Sequence, residues 1–142
     1  EEFDRMRFGD RVWQDGIKAV WNRDTVEQHR HFYDKLKAQL EEHKDEQIIF
    51  VTHVLAVRDF TVLQPNEEWN YLNAFLGSTA YGDLVRQHGN VKYAVSGHVH
   101  YRKRKRIGET EHICSCLGYV DQWKTGAAPF VEVPAAMTTI EI

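Results

Sequence analysis

The most regular apolar pattern lies in "RDTVEQHRHFYDKLKAQLEEHK", from Arg23 to Lys44. Val26, Phe32 or Tyr33, Leu36 and Leu40 recur at helical spacing between charged residues, which predicts an amphipathic helix. Asp24 and Glu27 stand where a capping box would start it. The next stretch, "QIIFVTH", changes period. Ile48 to Val51 is a continuous, β-branched-rich run and reads as a strand buried on both faces. It ends abruptly at Thr52 and His53.

Two shorter helical patterns follow. In "PNEEWNYLNAFLG", Pro65 precedes the helix, Asn66 caps it, Trp69, Leu72, Phe75 and Leu76 make its stripe, and Gly77 stops it. In "STAYGDLVRQHG", Ser78 is the cap and Gly89 the stop, with Tyr81, Leu84 and Val85 as core positions. "NVKYAVSGHVH" reads as a second strand with a polar tip. "EHICSCLGYV", "FVEVP" and "AMTTIEI" alternate or are β-branched, so the last third is expected to be strand-rich. Helix, strand, helices, strand and a strand-rich tail predict an α/β layered fold.

Composition narrows the classes without choosing among them. The 142 residues make one domain at most. Apolar residues at 42% and charged residues at 27% are ordinary for a globular chain. No stretch approaches the roughly 20 apolar residues of a spanning helix. The net charge of -3 argues against wholesale nucleic-acid binding. Cys114 and Cys116 are two apart, a spacing that cannot close an ordinary disulfide along an extended strand, so no disulfide framework is visible. With no targeting motif visible, a reduced, cytoplasmic protein is expected.

The candidate chemistry sits at the two strand tips. His53 ends the first strand, and His98 and His100 follow Gly97 after the second. On an extended backbone His98 and His100 share a face, with Cβ atoms roughly 6–7 Å apart. One metal ion can take both imidazoles, or two ions held about 4 Å apart can take one each. Gly97 leaves room for the backbone to turn close to the ions. His29, His31 and His43 belong to the long helix or its end; His29 and His31 face different directions there, and surface or boundary positions with no site role are expected for all three.

These residues carry a resemblance. Ile49-Phe50-Val51-Thr52-His53, followed by Gly97-His98-Val99-His100, resembles the last two motifs of the calcineurin-like metallophosphoesterases. Leu117-Gly118-Tyr119 and the terminal "TTIEI" are also similar to that family's C-terminal half. The resemblance implies the C-terminal half of a four-layer α/β/β/α sandwich, with residues 1–142 forming the C-terminal part of one phosphoesterase domain. It implies two divalent metals, Mn, Fe or Zn, in the complete enzyme. His53 and His98 would ligate one and His100 the other. The ions would activate a water for in-line attack on a phosphomonoester or phosphodiester.

The chain departs from the family's pattern upstream. The family begins with D-x-H, G-D-x-x-D and G-N-H-[ED], and none of these is present. Gly9-Asp10 starts like the second, but Trp13 stands where its second Asp would be; "RFGDRVWQDGIKAVW" looks more like the stretch after the third motif. Three neutral imidazoles do not hold two dications without a bridging carboxylate. The motif with the general-acid His is missing too, so no catalytic residue is expected within this chain. Either a C-terminal fragment of a larger enzyme or a degenerate relative is therefore expected, the fragment being favoured by Glu1 rather than Met at the start. Metal occupancy should be partial or nil, activity weak, and the missing half or self-association should stabilise it.

Other readings remain open at this level. His53, His98 and His100 alone can make a mononuclear zinc hydrolase or hydratase with an open fourth position. A non-catalytic scaffold that keeps the fold is a third reading. The basic run Arg102 to Arg106 reads as a solvated hairpin, or as an edge strand on which Arg102, Arg104 and Arg106 line the approach for a phosphate-ester substrate; nucleic acid is not indicated, and a nuclear-localisation signal is a further reading. His112, Cys114 and Cys116 alternate and can share one strand face, though as poor tetrahedral ligands. Arg58, Asp59, Tyr101 and Tyr119 are within plausible reach of a substrate, but no spacing requires it.

Overall fold

The computed structural model describes residues 6–63, 66–124 and 128–142. A small hairpin opens it, pairing β1 (Arg7–Phe8) with β2 (Arg11–Val12), followed by the single turn α1 (Asp15–Lys18). The long helix α2 (Thr25–Glu42) starts as its sequence requires: the Asp24 carboxylate accepts from the Glu27 backbone N–H at 2.8 Å. Then come β3 (Ile48–Thr52), α3 (Glu67–Leu72), α4 (Thr79–His88) and β4 (Val91–Ser96). The chain closes with β5 (Arg102–Ile107), β6 (Thr110–Ser115) and α5 (Pro129–Ala136).

The main sheet has the order β3-β4-β6-β5. β3, β4 and β6 run parallel, and β5 returns antiparallel to β6 through a tight turn with Gly108 at φ 59°. The protein is thus mixed α/β. Parallel neighbours require crossovers, and α3 and α4 supply the one between β3 and β4. The helices α2 and α4 pack against one sheet face, where Leu40, Leu84, Val85, Val91 and Ala94 form a core joined by Tyr33, Leu36, Ile48 and Phe50. A second cluster of Leu55, Phe60, Leu76, Val99 and Cys114 lies under the strand-end loops. Among the described residues no helix is long and apolar enough to cross a membrane.

Caps and stops fall where the pattern put them. Asn66 accepts from Trp69 N–H, Ser78 accepts from Ala80 N–H, and Gly89 ends α4 at φ 66°. Pro65 lies outside the described residues. Three expectations are corrected. The helix expected up to Gly77 breaks at Leu72 into a 3-10 turn, Asn73–Phe75. There the Asn73 amide closes a two-way hydrogen-bonded pair with the Val62 backbone. Gly77 serves a different purpose: it pairs with Leu55 so closely that a Cβ would lie 2.0 Å from the Leu55 carbonyl oxygen.

β3 is not buried on both faces. It is the last strand of the sheet, and helices cover only the Ile48 and Phe50 side; Val51 is 70% exposed on the other. The strand-rich tail is also corrected. "FVEVP" lies inside helix α5, and residues 137–142 form no strand. Pro129 suits a first helical turn, and neither Pro129 nor Pro134 can donate to a sheet ladder. The tail instead crosses the sheet's second face. Glu132 pairs with Arg102, Thr138 Oγ1 lies 2.5 Å from Ser115 Oγ, and Tyr93 donates to the Glu141 carbonyl at 3.1 Å.

Candidate metal centre

Because β3 and β4 are parallel neighbours, their carboxyl ends open at the same edge, where α/β folds gather ligands. His53 follows Thr52 directly, and Gly97-His98 follow Ser96. The Gly97 N–H donates to the His53 carbonyl at 3.0 Å, continuing the pairing one step past the strands. Gly97 lies against the His53 ring: a Cβ built on it would sit in van der Waals contact, 3.4 Å from both His53 Nδ1 and the His53 carbonyl oxygen.

The chain then turns sharply. His98 adopts φ 69°, a left-handed conformation that few side chains other than Asn, Asp and His enter, and Val99 N–H donates back to Gly97 at 2.8 Å. Val99 is driven into the second core cluster at 4% exposure, and this plug holds the turn. Strained backbone that the surrounding packing enforces is concentrated at functional sites. Its consequence here is a meeting of rings: His98 Nδ1 lies 3.1 Å from His53 Nε2, the rings edge-on with centroids 5.0 Å apart.

That spacing is a hydrogen bond between the two imidazoles, and with its proton lost it also fits joint ligation. Two imidazole nitrogens bound at about 2.0–2.1 Å to one ion, at angles from 90° to tetrahedral, stand about 2.8–3.4 Å apart. The other nitrogen, His98 Nε2, is buried without a hydrogen-bond partner, and the Asp15 carboxylate is 3.7 Å away. Metal-bound imidazoles usually direct their free N–H at such a carboxylate. Asp15 is itself held by the Trp13 indole N–H at 2.9 Å, and the Trp13 ring lies 5.8 Å from that of His98. Burial lowers the His98 pKa, Asp15 opposes this, and His53 and His100 add to the lowering, so the imidazole is kept in the neutral form a ligand needs.

His100 is placed differently. Its ring stands edge-on to Tyr119 at 4.4 Å, and Gly118, at φ 72°, passes close beneath its Cβ. The structure therefore brings His53 and His98 together and turns His100 toward the Tyr119 loop. Among the described residues no three His, Cys, Asp or Glu side chains converge as one ion would require.

The basic run is a strand, β5, and alternation splits it across the sheet. Arg102, Arg104 and Arg106 share the face crossed by the C-terminal tail. Arg102 pairs with Glu132, Arg104 donates to Glu111 at 2.7 Å, and Arg106 reaches the Glu109 carbonyl at 3.3 Å and Glu111 at 3.9 Å. On the opposite face Lys103 donates to the Asp59 carbonyl and Lys105 pairs with the Asp59 carboxylate. All five cations thus have a carboxylate or carbonyl partner.

The remaining candidates are accounted for in place. Tyr101 donates to the Phe60 and Thr61 carbonyls, and burial pushes its hydroxyl up to about 12. His112 is buried edge-on to Phe60, and Cys114 lies 3.7 Å from Cys116, sulfur to sulfur. His29 bonds the Tyr81 hydroxyl and His43 pairs with Glu46. Arg58 lines a cavity of about 950 Å³ formed with Leu55, Val62, Asn70, Leu76 and Thr79; none of the three site histidines lines it. Asp15 and Trp13 were missed by sequence reasoning. They belong to the opening hairpin region, and nothing in their spacing ties them to a histidine more than 80 residues away.

Comparison of the chain with models of known families, with curated proteins and with solved structures finds no match.

Proposed function

We propose that this chain supplies the histidine wall of a metal-dependent phosphoesterase centre, as the C-terminal part of a calcineurin-like, four-layer α/β/β/α domain. The observation that carries this reading is the 3.1 Å approach of His53 Nε2 and His98 Nδ1 at the ends of adjacent parallel strands. His53 and His98 would hold one divalent ion, with Asp15 receiving the outer N–H of His98. His100 would serve the second ion after its ring leaves Tyr119. Manganese, iron or zinc at these positions would activate a water and neutralise charge on a phosphate ester. The chain's own part is to fix the two imidazoles, to keep His98 neutral, and to keep its Nε2 away from solvent.

The centre needs carboxylates from outside this stretch, because two dications require a bridging anionic ligand. The open face of β3, with Ile49 and Val51 outward, is consistent with a further layer from the rest of such a domain or from a second copy. Arg102, Arg104 and Arg106 would act on substrate only as a field near the site, since each is held by a carboxylate or carbonyl.

The test is metal uptake by the 142-residue chain, followed by calorimetry with manganese and zinc and by hydrolysis of p-nitrophenyl phosphate and its bis-ester. Weak uptake that disappears in His53→Ala, with little turnover, is the expected result. One tightly held zinc lost equally on changing His53, His98 or His100 would favour the mononuclear hydrolase. No uptake at millimolar metal would leave only the non-catalytic scaffold.

A further inference from the structure

We propose that Cys114 and Cys116 form a reversible disulfide that resets the Gly97–Tyr101 turn and so controls the metal affinity of the His53–His98 pair. The statement about metal rests on the phosphoesterase reading; the coupling of sulfur to turn does not.

The geometry begins with alternation. Residues two apart on an extended chain point to one side, and the two sulfurs stand 3.7 Å apart as free thiols. A bonded pair needs about 2.0 Å, so oxidation must draw them together by roughly 1.7 Å. Cys114 cannot give way. It is 1% exposed inside β6, held between Ser96 of β4 and Lys103 of β5. Cys116 lies just past the strand, where the ladder no longer holds the chain extended and the bar on closing a pair two residues apart is lifted; it is partly exposed, so it is the sulfur that moves.

What surrounds these sulfurs is the histidine turn. The Cys114 thiol faces the carbonyl oxygens of Tyr101, Gly97 and Val99, at 3.4, 3.8 and 4.0 Å. Cys116 Sγ lies 3.8 Å from the point a Gly97 Cβ would occupy, and His53 Nδ1 is 3.4 Å from the same point. Pairing therefore removes the Cys114 thiol proton, which faces the turn's carbonyls, and shifts the Cys116 sulfur that lies beside Gly97. Both contacts lie on the turn in which His98 takes φ 69°.

The chemistry is an exchange with a low-molecular-weight disulfide. The Cys116 thiolate attacks one of its sulfurs, forming a mixed disulfide and expelling one small thiolate, which takes up a proton. Cys114 then gives its proton to the second leaving thiol as its sulfur bonds to Cys116. Two protein thiols are oxidised by two electrons, and one small disulfide is reduced to two thiols.

The experiment equilibrates the whole chain with oxidised or reduced glutathione. Three readings are taken: intact mass with thiol alkylation, the backbone amide spectrum, and manganese binding. Manganese is the probe because it avoids thiolate ligands. Expected are a loss of about 2 Da with both thiols protected, displaced His98 and His100 amide signals, and manganese affinity lowered about tenfold or more. Cys116→Ser should abolish all three changes. Glutathione adducts or intermolecular dimers in place of the internal disulfide would overturn the proposal, as would a disulfide that leaves those signals in place. If the disulfide forms and the signals move while neither form binds manganese, the metal reading fails and the redox coupling stands. If the pair never closes while manganese binds through His53 and His98, the coupling fails and the metal reading stands.

Discussion

His53 Nε2 and His98 Nδ1 lie 3.1 Å apart across 45 residues of sequence. The contact exists because two parallel strands end side by side and because His98 accepts a left-handed backbone. Removing the ring and removing the strain are therefore separable. His98→Asn keeps a residue that tolerates this φ while losing the imidazole. Calorimetry should show manganese affinity reduced about 10- to 100-fold in His98→Asn and in His53→Ala. His100→Ala should lose less, since its ring is spent on Tyr119. Equal losses at all three positions would contradict the separation seen between them.

Gly77 is required by contact. A methyl there would meet the Leu55 carbonyl oxygen at 2.0 Å and its nitrogen at 2.5 Å, and both are backbone atoms that cannot rotate aside. Gly77→Ala should destabilise the fold by about 3 kcal/mol, seen as a lower urea midpoint. Gly89→Ala, with open space around it but φ 66°, should cost less, about 1 kcal/mol.

The elements that sequence reasoning reads correctly are those with a local cause. α2 and α4 carry their caps at Asp24 and Ser78, and β3 and β4 are dense apolar runs ended by polar residues. The elements it misreads are decided by partners distant in the chain. "FVEVP" has strand-like residues, yet Glu132 is drawn to Arg102 thirty residues upstream and the segment folds as a helix on the sheet. β3 looks doubly buried because hydrophobicity alone does not reveal that a strand stands last in its sheet. At the site, strand-tip logic marked His53 and His98 as candidates, and only the resemblance implied that they pair. It gave no sign that Asp15 and Trp13 would stand behind His98, or that Tyr119 would hold His100.

His112 makes stability depend on pH. Only 4% of it is exposed. Burial pushes its pKa below the ordinary value of 6.5, Asp59 opposes this, and Arg86 adds to the lowering. The unfolded chain thus takes a proton near pH 6.5 that the folded chain refuses. This stabilisation is fully present above about pH 6.5 and is lost as pH falls through the lower folded value. His98 contributes with the same sign, so the test compares variants. Urea midpoints at about pH 7.5 and about pH 5.5 should differ more in the native chain than in His112→Gln. An unchanged difference would show that His112 titrates alike in both states.

Arg102 and Glu132 join α5 to the sheet, and the two partners are unequally sheltered. Side-chain exposure is 28% for Arg102 and 2% for Glu132. Truncating either leaves its partner's charge incompletely compensated in a partly dry setting, at a cost of about 2–3 kcal/mol after allowance for the solvent that reaches Arg102. Arg104 and Arg106 are 49% and 63% exposed, and their pairs with Glu111 are screened by water. Arg102→Gln and Glu132→Ala should each lower the urea midpoint and speed proteolysis within α5. Arg104→Gln and Arg106→Gln should stay within about 0.5 kcal/mol of the native chain. The same series separates the two readings of the basic run. If Arg104→Gln and Arg106→Gln weaken binding of a phosphate ester in the assembled domain while stability holds, these residues steer substrate. If binding is unchanged, the strand's charges serve only to anchor the tail and to solvate the sheet edge.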